Sequence, residues 1–216
     1  MKQFLVIGLG RFGTSIAKTL YNLGNDVLGV DINEEIIQNL ADSLTHVVQA
    51  DATDENTLKA LGVSNFDVSI VSIGNDIQAS ILVTLILKEL GVKYVVAKAL
   101  NHLHGKVLYK IGADRVVFPE RDMGVRVAHN LVSSNILDYI ELSPTFSIVE
   151  ISSIAEWNNK SLKKLDMRAK YGLNVMAIKR DGDVIVSPHG NEVIKPDDVL
   201  VVVGENKDIE TLEKYI

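Results

Sequence analysis

The chain has 216 residues, with 22 lysines and arginines against 28 aspartates and glutamates, for a formal net charge of −6. An acidic chain with no long basic run is a poor match for duplex nucleic acid, whose binding rests on neutralising phosphates. Cysteine is absent, which excludes disulfides, thiolate zinc sites and a cysteine nucleophile.

The mean hydropathy is +0.17, yet no apolar run approaches the roughly 18–20 residues that span a bilayer. The longest, Ser80 to Leu87, is interrupted by Thr84 and closed by Lys88-Glu89. The opening MKQFLVIGLGRFG carries glycines where a secretory signal needs continued apolar character. It reads as a folded strand of a cytoplasmic protein.

From there to about residue 118 one rhythm repeats. Short β-rich runs (Phe4–Ile7, Asp26–Val30, His46–Gln49, Val68–Ser72, Tyr94–Ala97, Arg115–Phe118) alternate with helical segments starting near Arg11, Asn33, Asp54, Asn75 and His102. Several runs are apolar almost throughout, the pattern of parallel strands buried on both faces. Gly24, Gly62, Gly91 and Gly112 fall where helix ends want a left-handed residue. The fold class is therefore α/β, a Rossmann-like doubly wound parallel sheet. Within it, Asp76–Leu90 is apolar around most of its circumference, as expected of a helix packed deep on the sheet or one whose outer face meets a second subunit.

After Pro119 the rhythm changes. Arg121–Leu137 reads as an amphipathic connector helix with Val125, Ala128, Leu131 and Val132 on its apolar stripe. A small α+β domain is expected over 135–216, against 1–134 for the nucleotide-binding domain with its connector. It has strands at Ser147–Ile151, Val175–Lys179, Val184–Val186 and Val199–Val203, and helices at Ser161–Tyr171 and Lys207–Tyr215. Arg180-Asp181-Gly182-Asp183 reads as a hairpin turn.

Gly8-Leu9-Gly10-Arg11-Phe12-Gly13 matches G-x-G-x-x-G between a strand and a helix, the context that gives the motif meaning. Gly8 permits the turn, Gly10 lets backbone approach a phosphate, and Gly13 lets helix pack on strand. Asp31 follows Gly10 by 21 residues. It is placed to accept both ribose hydroxyls and to repel a 2′-phosphate; its plain alternative is a helix cap. Asp51, in Asp51-Ala52-Thr53, belongs beside the adenine or to a solvated turn. Asp54 and Glu55 read as first-turn acids of the next helix. Arg11 is a cation in a helix's first turn, where it opposes the dipole unless a polyphosphate is bound. Lys98 points to the same sheet edge, as a phosphate contact or a surface lysine.

The five histidines, His46, His102, His104, His129 and His189, join no evident catalytic constellation or zinc spacing. That weakens the dehydrogenase reading the fingerprint suggests by default. An NADH-sensing regulator and an empty scaffold used only for assembly remain as alternatives.

GLGRFG, the acid in VDIN, ADATDEN, IGNDIQAS and GADRVVFPERDMG together resemble the RCK (KTN) domain of potassium-transport regulators. Arg168-Ala169-Lys170-Tyr171-Gly172, Pro188 and Lys195-Pro196-Asp197-Asp198 resemble its small companion domain. The likeness covers essentially the whole chain and points to the cytoplasmic regulatory subunits of Ktr-type transporters. The resemblance implies a non-enzymatic gating protein that binds ATP or ADP, with NAD(H) as the alternative. It implies a homodimer assembling into a ring, an octamer, at the inner face of the membrane beneath a potassium-translocating subunit of Ktr or Trk type. It matches Arg11 to an arginine that reaches the γ-phosphate, and Glu120 to a carboxylate tied to a divalent cation. Glu120 also reads simply as a first-turn acid after Pro119. The resemblance also implies a companion domain that can bind cyclic di-AMP at its dimer interface. Lys160, Lys164 and Arg168, spaced by four, are expected on one helical face, either for that ligand's phosphates, with Asn174 for an adenine edge and Leu162 and Pro188 as an apolar wall, or as a solvated basic face.

Overall fold

The computed structural model describes residues 1–132 and 135–215, with side chains described to residue 212. The chain divides into two compact units, Met1–Arg121 and Asp122–Ile216. The domain boundary expected at 134/135 adjoins residues 133 and 134, which lie outside the described residues.

In the first unit, six parallel strands run in the order β3-β2-β1-β4-β5-β6. They are β1 (Gln3–Ile7), β2 (Asp26–Asp31), β3 (His46–Gln49), β4 (Val68–Val71), β5 (Val95–Lys98) and β6 (Arg115–Val117). Five helices link them: α1 (Arg11–Asn22), α2 (Glu34–Leu40), α3 (Glu55–Ala60), α4 (Ile77–Glu89) and α5 (His102–Lys110), with a 3-10 turn at Val63–Asn65. Alternating residues of β1 feed two cores. Leu5 and Ile7 join Val83, Leu87 and Leu108 on one face; Val6 joins Ala17, Val27 and Leu40 on the other. The deep packing expected of Asp76–Leu90 holds, with Val83, Ile86 and Leu87 buried. Gly24, Gly62, Gly91 and Gly112 all have positive φ, between 66° and 102°, so the four expected punctuation points are real.

In the second unit, five antiparallel strands run β10-β9-β11-β8-β7. They are β7 (Ile136–Ser143), β8 (Phe146–Ser152), β9 (Asn174–Arg180), β10 (Asp183–Val186) and β11 (Val199–Glu205). The short helices are α7 (Leu162–Leu165), α8 (Met167–Tyr171) and α9 (Asn206–Tyr215). One sheet face is buried: Val149, Ile151, Ile178, Leu200 and Val202 pack with Trp157, Ile209 and Leu212. The expected hairpin turn forms, with Asp181 and Gly182 both at positive φ.

Three sequence readings are corrected here. The connector helix α6 spans Pro119–Val132, and Ile136-Leu137, expected in it, belong to β7; residues 133 and 134 of that reading are outside the described set. The β-branched and aromatic residues Ile136, Tyr139 and Ile140 favour a strand, and Asp138 of that strand is paired with Arg126 of α6. The apolar stripe of α6 is not buried: Val125 is exposed and Leu131 is 81% exposed. The helix expected over Ser161–Tyr171 breaks at Asp166, which adopts φ 46° between α7 and α8. The spacing of Lys160, Lys164 and Arg168 therefore puts them on no common helical face, because Lys160 precedes the Ser161 cap and Asp166 interrupts the turn.

Candidate functional site

Strand register assembles the first unit's candidates into one row. Ile7 pairs with Val30 of β2 and with Val71 of β4, and Val71 pairs with Ala97 of β5. One step further along each strand stand Asp31, Gly8, Ser72 and Lys98. This is the carboxyl edge at the β1/β4 reversal of strand order, where open α/β sheets bind ligands.

The glycine loop is held by its own chain. Gly8 has φ 88°, and its amide donates to Val30 O at 2.8 Å. A Cβ on Gly13 would overlap the Gly8 carbonyl oxygen and come within 2.6 Å of Ser72 Oγ. Gly8 and Gly13 are thus required by turn and packing. Gly10 is not. Its φ is −62°, and an added Cβ would meet nothing within 4 Å. It caps α1 without a side chain, although Ser, Asn or Asp would cap better. The first turn of α1 also contains no acid. Free N–H groups and the positive helix end therefore face open space beside exposed Arg11, an arrangement suited to an anion.

Asp31 is not the helix cap that its plain alternative made it. Its carboxylate accepts the Leu9 amide at 2.6 Å and the Asn33 amide at 2.9 Å. The cap of α2 is Asn33, which accepts from Glu35 and Ile36. Asp31 thus ties the tip of β2 to the glycine loop. Asp51 accepts from the Thr53 amide and hydroxyl, at 2.9 and 2.7 Å, in the solvated-turn arrangement; Ala52 between them is buried. Asp54 caps α3.

Lys98 is no surface lysine: it is 7% exposed. Its ammonium donates to Glu120 Oε1 and lies 5.7 Å from the centroid of Phe12. Glu120 is a first-turn acid of α6 as well as the partner of Lys98. The bond from Lys98 holds its carboxyl below the usual carboxylate range, with the charge of Arg11 acting the same way. The sequence thus placed Lys98 and Glu120 separately, and folding joins them. No group of three or more potential ligands that could hold a metal exists among the described residues. A divalent cation at Glu120 would have to draw other ligands from bound phosphate or a second chain.

Two residues of the edge were not singled out from sequence. Ser72 donates to Gly8 O at 2.8 Å, and Thr14 donates to Leu9 O at 2.6 Å; both brace the loop. A serine at the carboxyl end of the strand, level with Gly8 and Asp31, was the available signal for Ser72.

The candidates of the second unit are loosely grouped. Leu162 is half-buried, and its amide donates to Glu192 O at 3.0 Å, while that of Lys163 donates to Gly190 O at 2.7 Å. The turn bearing Pro188 is thereby drawn to the start of α7. Exposed Arg168 accepts at its carbonyl from the Gly172 amide, two residues before exposed Asn174.

Comparison with known proteins fits this geometry. The TrkA-N domain model matches residues 4–119 and the TrkA-C domain model residues 146–216. The Ktr system potassium uptake protein C of Bacillus subtilis is 54% identical over 215 residues, 100% of this chain and 97% of its own. The Ktr system potassium uptake protein A of the same organism is 51% identical, over 98% and 96% of the two chains. The protein A of Vibrio alginolyticus is 38% identical, over 94% and 92%. The GsuK RCK domain shares the fold, with a TM-score of 0.70 at 20% identity over 99% of this chain and 47% of that one. The GsuK channel bound to NAD does so at 0.68 and 19%, over 98% and 39%. No helix of the described residues is long and apolar enough to cross a membrane. With both domain models matched in order and full-length relatives above half identity, the chain belongs to the TrkA-N/TrkA-C family of Ktr system potassium uptake proteins.

Proposed function

We propose that this chain is the nucleotide-sensing gating subunit of a potassium uptake system. ATP or ADP lies along the strand-end row, with ribose on Asp31, adenine beside Asp51, Ala52 and Thr53, and phosphates over Gly8, Gly10, Phe12 and Gly13 at the start of α1. The observation that carries this is Gly10, whose missing side chain serves nothing in the chain's own packing and leaves room for a ligand at a helix end free of acids. Arg11 reads the γ-phosphate, the one chemical difference between ATP and ADP. A ligand shifts a conformational equilibrium only by its differential affinity for the two states. Lys98 adds a second cation, and Glu120 contributes one carboxylate to a divalent ion that phosphate oxygens complete.

The reading extends to assembly. Homodimers form a ring, an octamer, at the cytoplasmic face of a membrane potassium-translocating subunit. The second unit takes cyclic di-AMP through Leu162, Arg168, Asn174 and Pro188. We read the site as non-catalytic: the Ser72 hydroxyl is committed to Gly8 O, and both oxygens of Asp31 already accept amides.

Calorimetric titration with ATP, ADP, NAD and NADH tests the reading. The expected result is preference for adenine nucleotides, with ATP and ADP distinguished about tenfold or more through the charge-assisted Arg11 contact. Arg11→Ala is expected to erase that distinction. Undiminished discrimination in the variant removes Arg11 from the mechanism; preference for NADH replaces the reading with a redox sensor. Heat on cyclic di-AMP titration that Arg168→Ala abolishes supports the second-unit site.

A further inference from the structure

A buried ammonium keeps an anion beside it, because stripping away its partner leaves an uncompensated charge out of water. Lys98 is 7% exposed. The carboxylate it holds, Glu120, has a side chain that is 67% exposed. The two partners thus differ in freedom: the carboxylate can be hydrated where it stands, and the ammonium cannot. Two parts of the proposed phosphate edge border the same ammonium. The ring of Phe12, the second residue of α1, lies 5.7 Å away. Gly74, in the loop after β4, comes so close that a Cβ there would stand 3.3 Å from Nζ. Lys98 therefore sits between the open N-terminus of α1 and the first turn of α6.

We propose that Lys98 is a positioning residue with two alternative anions: the Glu120 carboxylate without nucleotide, and the nucleotide's phosphates once they arrive. The inference rests on the nucleotide reading and adds to it a competition within the chain. Glu120 opposes phosphate binding by holding Lys98, and phosphate binding releases Glu120 and with it the first turn of α6. Adenosine, which lacks phosphate, does neither.

The test is a double-mutant cycle on ADP affinity, measured in chelator at fixed ionic strength, with adenosine as control. Lys98→Met is expected to weaken ADP about tenfold, the loss of one charge-assisted contact. Glu120→Gln is expected to tighten ADP about threefold or more while Lys98 is present. In the Lys98→Met background that gain is expected to shrink to less than about twofold. Adenosine affinity stays unchanged throughout. Equal tightening in both backgrounds would mean simple charge repulsion and overturns the proposal, as does any weakening by Glu120→Gln.

If Lys98→Met does not fold, hydrogen exchange on the wild-type chain decides. ADP, and not adenosine, is expected to speed exchange in the first turn of α6. Glu120→Gln without ligand is expected to show the faster rate already. No ADP effect on that turn overturns the inference. A wild-type chain that binds neither adenosine nor ADP removes the nucleotide reading along with it, whereas ADP binding with additive substitutions removes this inference alone.

Discussion

The two units solve the problem of polar groups in opposite ways. The first gathers its chemistry at one edge of a parallel sheet, where Asp31, Gly8, Ser72 and Lys98 stand at the carboxyl ends of four neighbouring strands. The second spreads charged pins through its frame. Arg180 bridges the buried Asp198 at 2.8 and 2.7 Å and Glu192 at 3.0 Å, and Arg126 of α6 pairs with Asp138 of β7. Parallel strands end together and aim their tips at one ligand; an antiparallel sheet offers no such common edge. In the first unit, polar residues at strand tips therefore point to a ligand, and in the second, ion pairs that pin element to element, with Asp198 buried, point to construction.

The comparison can be broken most forcefully at Arg180. Arg180→Met leaves Asp198, 1% exposed, without its cation, and is expected to cost the second unit about 3–5 kcal/mol. Chemical denaturation followed at Trp157, the chain's single tryptophan, reports that loss. The first unit is expected to keep its nucleotide affinity. Burial pushes against the charged form of Asp198, but Arg180 and the Lys195 amide favour it and hold the carboxyl below the ordinary carboxylate range. The native state thus binds fewer protons than the unfolded one near that range. The pin's contribution is present above the unfolded pKa and lost as pH falls through the folded one.

Next in size is Gly13→Ala. The new methyl would overlap the Gly8 carbonyl oxygen, and since that atom is backbone the loop must shift, at roughly 3 kcal/mol. Circular dichroism melting is expected to show the first unit unfolding earlier while the second is unmoved. Equal destabilisation of both units would mean that they unfold as one.

Much of the first unit was legible in sequence because each device there is local. The glycine fingerprint, the acid at the tip of β2, and the four glycines at positive φ are each set by a few neighbouring residues. Joining Lys98 to Glu120 needed the register of β5 against β6 and the start of α6. In the second unit the same habits misled. Lys160, Lys164 and Arg168, spaced by four, suggest a continuous helical face, but Lys160 precedes the Ser161 cap and Asp166 turns left-handed between Lys164 and Arg168. The connector pattern read through to Leu137, but Ile136 and Leu137 belong to β7, and Leu131 of its apolar stripe remains in solvent within this chain.

The smallest expected effect sharpens the first unit's side. Burial lowers the pKa of His104 from its ordinary value, and the residue is 2% exposed. The unfolded state therefore takes up a proton that the native state resists. Stability from this group is full above the unfolded value, near 6.5, and falls as pH drops below it. Melting temperatures between pH 7.5 and 5.5, a range of about two units around that value, are expected to fall less steeply in His104→Asn than in wild type.

Calorimetric titration of Gly10→Ala with ADP tests the central claim most directly. The added methyl meets no atom of the chain, so stability is expected to change by no more than about 1 kcal/mol. The space it fills is the one assigned to phosphate, so ADP affinity is expected to fall about tenfold or more. A variant that binds ADP as tightly as the wild type would contradict the account.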